Sequence, residues 1–147
     1  MLIKSRFLGN LEIDESKIVT FEEGILGFED IKEYCIVPMP EKEDFYLLQS
    51  IEDENISFII IKPWDFFKQY EINLQEEHLQ TVDIEDASQV AIYSILSLSQ
   101  LDITANLLAP VVINADTNKG AQIVLHSSTY KTKHSIYASE SKGESLC

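Results

Sequence analysis

A chain of 147 residues falls within the usual span of one domain and is long enough to bury an apolar core without a disulfide or a metal. Its 25 acidic against 11 basic residues give a net charge of -14, and residues 1–86 hold 21 of the acids and 7 of the bases, so the whole imbalance lies there. A field of one sign repels phosphate backbones and anionic lipid; it argues against direct nucleic-acid or membrane binding and favours a basic macromolecular partner.

In chain order, LIKSRFL (2–8) and KIVTF (17–21) read as strands, short and rich in β-branched and aromatic residues. The opening residues hold no apolar run fit for a signal-peptide core, and no stretch approaches the roughly 20 residues of a membrane span, so an unexported, cytoplasmic protein is expected. FEEGILGFED (21–30) follows, with Gly24 and Gly27 among acids. A phosphate-binding loop needs a lysine where this one has acids, so the segment reads as a sharp turn with Phe21, Ile25, Leu26 and Phe28 available to pack or to be presented. EDIKEY (29–34) reads as a short helix, and Cys35 in the apolar run YCIV reads as an inert structural thiol. Cys147 is the last residue, so no disulfide framework is expected and a reducing compartment fits.

FYLLQSI (45–51) and ISFIIIK (56–62) form a predicted hairpin around EDEN (52–55), the second strand apolar on both faces as in a closed sheet. Pro63 ends that strand, and Trp64, Phe66, Phe67 and Tyr70 crowd after it, open to either a core or an interface role. EEHLQTV (76–82) is a second helix candidate. VAIYSILSLS (90–99) alternates, with Val90, Ile92, Leu96 and Leu98 on one face; APVVIN (109–114) and AQIVLH (121–126) flank a turn at ADTNKG (115–120). Apolar periodicity stops after Tyr137. The expectation is a mostly β, small single-domain, antiparallel β-barrel-like fold over 1–138 with one or two short helices, and a flexible tail at 139–147.

Catalytic constellations are scarce. His78, His126 and His134 lack metal-binding spacing, so no metal is expected, and neither cysteine resembles an activated nucleophile. No catalytic residue and no cofactor is assigned.

FEEGILGFED, LLQSIEDENISFIIIKPWDFFKQYEI, TVDIEDASQVAIYSILSL, TANLLAPVVIN and YKTKHSIY, in that order and spacing, closely resemble the FliW family of bacterial flagellar assembly factors over about residues 2–137. The resemblance implies a small non-catalytic β-barrel that binds newly made flagellin. When flagellin has been exported, it implies binding instead to CsrA, a basic RNA-binding repressor of flagellin translation, whose antagonism in the family is allosteric. The family's recurring positions fall on Phe21, Gly24, Gly27, Phe28, Ser50, Phe58, Pro63, Asn106, Pro110 and Asn114, several of them of the turn and core types that a barrel needs. A protein monomeric when free is expected.

For partner contacts the sequence offers three acidic groups at predicted turns: Glu22 with Glu23; Glu52, Asp53 and Glu54; and Asp83, Glu85 and Asp86. Against contact stands plain solvated loop charge. A small-ligand or flavin-type cofactor-binding barrel with a pocket near Trp64 is the alternative class, disfavoured by the shortage of Lys and Arg. Nucleic-acid mimicry by the acidic surface is a third reading, separable from allostery by RNA competition.

Overall fold

The computed structural model describes residues 1–126 and 129–137. The tail assigned to 139–147, with Cys147, lies outside the described residues. Strands β1 (Leu2–Ser5) and β2 (Gly9–Glu12) make a separate antiparallel hairpin, its turn tied by the Ser5 hydroxyl, which accepts from the Phe7 and Leu8 N–H groups at 3.3 and 3.2 Å.

A barrel follows. Strands β3 (Val19–Phe21), β4 (Glu33–Pro38), β5 (Phe45–Ser50), β6 (Ser57–Ile61) and β7 (Val90–Leu98) pair in succession, each antiparallel to the last. Strand β8 (Ile103–Ala105) folds back on β7 and carries β11 (His134–Ser135) on its far side. Strand β9 (Val111–Asn114) pairs with the first half of β7 and with β10 (Lys119–Gln122), and β10 closes the ring by pairing with β3. That last pairing, Lys119 beside Thr20 and Gly120 beside Phe21, is parallel, so the sheet is antiparallel everywhere but at its seam.

Alternation along the strands sorts the core into two layers. Val19, Phe21, Tyr34, Leu48, Ile60, Val111 and Ile113 fill the barrel, with Phe21 edge-to-face on Tyr34 at 5.4 Å and Phe28 edge-to-face on Phe58 at 5.2 Å. The opposite faces, among them Ile61, Leu96 and Val112, are covered by Tyr70, Val82, Leu107, Leu125 and Ile136 from the connecting segments. Both faces of β6 are therefore packed, as its continuous apolar run predicts.

Helix is sparse among the described residues: α1 (Glu76–Thr81), helical backbone at 136–137, and 3-10 turns at Glu15–Lys17, Pro63–Asp65 and Ala87–Gln89. EDIKEY is not a helix. Glu33 and Tyr34 open β4, where Tyr34 pairs with both Val19 and Ser50, and the interior it fills outweighs the local helical preference of a short acidic stretch. None of the described helices is long and apolar enough to cross a membrane.

Tyr34 is completely buried, and its hydroxyl has no hydrogen-bond partner among the described residues. Burial first, and the nearby Glu52 carboxylate second, push its ionisation from 10.0 up to about 12. The unfolded chain therefore releases this proton first: the stability it confers is whole below about pH 10 and drains as pH rises towards 12. Tyr34→Phe is expected to change urea-unfolding stability at pH 7 by less than about 1 kcal/mol, because an unpaired hydroxyl is removed with little change of shape. It is also expected to lose less stability than the parent between neutral and alkaline pH. A loss well above that figure at pH 7 would contradict the burial of an unpaired phenol.

Candidate functional site

The FEEGILGFED turn contains two consecutive hydrogen-bonded reversals. The Gly24 N–H donates to the Phe21 carbonyl at 2.9 Å, and the Phe28 N–H donates to the Ile25 carbonyl at 2.7 Å. Ile25 is driven into the barrel at 1% exposure, Leu26 is presented at 58%, and Phe28 is shared between solvent and Phe58 at 37%. The Leu26 N–H is held by the Gln122 Oε1 at 3.0 Å, which fixes the loop against β10.

Two lysines join the three acidic groups into one arc. Lys119 on β10 places its Nζ 2.7 Å from Asp83 Oδ2 and 3.8 Å from Glu22 Oε1, and the hydrogen bond to Asp83 is the main reason its ionisation is raised. Lys32 donates through its Nζ to the Glu22 carbonyl at 2.9 Å, while its backbone N–H donates to Glu52 Oε2 at 2.8 Å. Glu22, Glu23 and Asp83 border a hollow of about 260 Å³ around Lys119.

The members of this arc do different work. Glu52 is committed: its carboxylate accepts from the backbone N–H of both Lys32 and Glu33 at 2.8 Å and so clamps the start of β4. The loop that carries it is held from beneath, where the Ser50 hydroxyl accepts from the Glu52 and Asp53 N–H groups, each at 3.0 Å. Buried Gln49 donates its Nε2 to the carbonyls of Ser50 and Ile56 at 3.0 and 3.2 Å. Asp53 accepts from the Asn55 N–H at 2.9 Å. All of the acids in the three groups are exposed, and the Glu23 and Glu54 carboxylates make no hydrogen bond or ion pair among the described residues.

Beyond Asp83 the arc reaches an apolar cleft of about 330 Å³. Trp64, Ile72, Leu74, Leu79, Ile84, Val90 and Ile92 wall it, and Glu85 and Asp86 form its rim. The indole Nε1 of Trp64 donates to the Tyr70 carbonyl at 2.6 Å, and the Tyr70 hydroxyl donates to the Leu107 carbonyl at 2.7 Å. The aromatic cluster of 64–70 thus divides: Tyr70 is core, Phe66 and Phe67 are half-buried against it, and Trp64 stands 39% exposed at the cleft. Sequence reading marked Trp64 but missed Ile72, Leu74 and Ile84. Their signal was an isolated apolar residue every few positions within an acidic stretch, a pattern without strand or helix period.

The other family positions are architectural in their contacts. Buried Pro63 opens a 3-10 turn after β6. The Asn106 Oδ1 accepts from the Leu108 and Ala109 N–H groups at 3.2 and 2.9 Å, and the Pro110 carbonyl accepts from the Ile123 N–H at 2.9 Å. The histidines serve the same end. His78 Nδ1 accepts from the Gln75 N–H at 3.1 Å and its ring stacks on His126, while His134 Nε2 accepts from the Lys131 N–H at 2.8 Å and burial lowers its ionisation. Among the described residues no three His, Cys, Asp or Glu side chains converge as metal ligands, and burial raises the Cys35 thiol away from reactivity.

Comparison with known proteins gives one consistent answer. The family model described as FliW protein matches residues 2–136. A flagellar assembly factor FliW of Clostridium botulinum is 43% identical over 136 residues, covering 91% of this chain and 96% of the relative. Its counterpart in Bacillus subtilis is 40% identical over 138 residues, covering 92% and 96%. A crystal structure of the flagellar assembly factor FliW superposes with a TM-score of 0.87 at 38% identity, covering 92% of this chain and 96% of that one.

Proposed function

The chain belongs to the FliW family, and on that premise we propose that it is a non-enzymatic flagellar assembly factor of the cytoplasm, which binds flagellin and, when free of it, binds and antagonises the translational repressor CsrA. Sequestering CsrA relieves repression of flagellin synthesis. The observation that supports the CsrA arm best is the acidic arc from Glu52 through Glu22 and Asp83 to Glu85 and Asp86, in which the acids outnumber the two lysines that join them, a mainly negative surface suited to a basic partner. Rigid strands and side-chain-capped turns hold that arc in place, so little ordering cost is left for the binding step.

The purified chain is expected to co-elute at low salt with flagellin and, separately, with CsrA of the same organism. The CsrA complex should weaken by roughly tenfold as ionic strength rises from about 0.05 to 0.5 M, because exposed opposite charges are screened. Failure of both partners to co-elute at low salt sinks the function; an affinity for CsrA that ignores salt removes its electrostatic basis. Added RNA separates the modes of antagonism: an apparent inhibition constant that plateaus with RNA marks allostery, and one that climbs in proportion marks competition.

A further inference from the structure

We propose that the Trp64 cleft is the docking seat for the basic partner, taking an apolar side chain flanked by Lys or Arg; the inference rests on the functional reading above and assigns it a surface. A cleft of about 330 Å³ holds one or two large side chains, the size of an anchor. Its back wall is rigid. The Trp64 indole is fixed by its bond to the Tyr70 carbonyl, and Tyr70 is itself buried and bonded to Leu107, so the wall is formed before anything binds.

The rim selects the sign of the occupant. The N–H groups of Glu85 and Asp86 both donate to Gln89 Oε1, at 2.8 and 3.1 Å, and Gln89 is held in turn by Asp116 at 2.9 Å, so the two acids are set in place by backbone and side chain alike. Asp86 Oδ1 caps the 3-10 turn by accepting from the Ser88 N–H at 3.2 Å. The Glu85 carboxylate has no hydrogen bond or ion pair among the described residues and is exposed. Lys119, the cation of the neighbouring hollow, is already engaged by Asp83 and Glu22 and does not neutralise this rim. A phosphate-bearing cofactor is repelled here, and a second copy of this chain would set acid against acid. Charge complementarity leaves a basic protein segment.

Trp64 is the sole tryptophan of the chain, so its emission reports occupancy of the cleft directly. CsrA and flagellin of the same organism are titrated in turn into the parent chain, with the Trp64→Phe chain used to subtract each partner's own fluorescence. CsrA is expected to shift the Trp64 emission saturably. Glu85→Lys combined with Asp86→Asn, which preserves the cap, is expected to weaken CsrA at least tenfold and to leave flagellin within about twofold. Glu43→Lys with Asp44→Asn makes the same charge change outside the cleft and is expected to weaken CsrA by about threefold at most. The proposal is overturned if CsrA binds with emission unchanged, if the two double variants lose affinity equally, or if flagellin and not CsrA moves the emission. A parent chain that binds neither partner ends the functional reading and this one together; binding that ignores the cleft ends only this one.

Discussion

Asn114→Ala is expected to destabilise the protein by about 3–4 kcal/mol in urea unfolding at neutral pH, a large fraction of the stability of a domain this size. The side chain is completely buried and uses its whole amide. Its Nδ2 donates to the carbonyls of Val82 and Asp83 at 2.9 and 3.1 Å, and its Oδ1 accepts from the N–H groups of Asp116 and Thr117 at 2.9 and 3.3 Å. Removing it leaves partners unpaired, the Val82 carbonyl among them in the core. Asn114→Asp is the sharper companion: it keeps both acceptor bonds but turns a carboxylate oxygen on two carbonyls, so it should be destabilising at pH 7 and partly recover when protonated. The loss should also reach the site, because Asn114 is the pin that holds residues 82–83, at the head of the Glu85 and Asp86 rim, to β9. An Asn114→Ala protein within about 1 kcal/mol of the parent would mean the pin carries no load.

Much of the barrel was legible because its strands announce themselves individually. In 45–50, 57–61, 90–98 and 111–114, β-branched and aromatic residues alternate or run together between turn residues, and each is a strand with bounds close to those expected. The failures share a cause: they occur where pairing with a distant segment decides. EDIKEY carries a helical composition, yet Tyr34 is worth more inside the barrel than on a solvated helix, so the segment opens β4. The pattern of AQIVLH predicts one strand, but β10 stops at Gln122. Its partner becomes irregular around Pro110, although the Ile123 and Leu125 N–H groups still reach the carbonyls of Pro110 and Leu108 at 2.9 and 2.8 Å. The parallel seam between β3 and β10 joins residues about a hundred apart in the chain, and no local pattern marks it.

The acidic groups were legible as residues and illegible as a surface. Sequence separates Glu22, Glu52 and Asp83 widely, and only the two lysines that thread them, Lys32 and Lys119, show that they adjoin. Nor does sequence distinguish a carboxylate spent on the fold from one free to bind. Glu52, whose carboxylate accepts from two backbone N–H groups, is of the first kind, and Glu85 of the second. A scan that reverses all acids alike would therefore mix folding defects with binding defects. Glu52→Lys is the member whose loss of partner affinity says least about contact.

The two glycines of FEEGILGFED look equivalent in the sequence and are not. Both hold left-handed backbone, Gly24 at φ +69 and Gly27 at φ +88. A Cβ on Gly27 would meet nothing within 4 Å, so Gly27→Ala is expected to cost only the conformational penalty, about 1 kcal/mol. A Cβ on Gly24 would lie 2.5 Å from Glu29 Cα and 2.6 Å from the Glu29 carbonyl oxygen. Those are backbone atoms that no rotamer change can withdraw, and the loop that carries them is anchored by Ile25 in the barrel and by Lys32 at Glu52. Gly24→Ala must therefore either displace the 28–30 backbone or expose Ile25, at an expected cost of about 3 kcal/mol or more. Urea unfolding of the two single variants under one set of conditions checks this, since each serves as the other's control for the left-handed penalty. Equal losses would show that the close approach of Glu29 relaxes freely, and the turn would then owe its glycines to backbone angle alone.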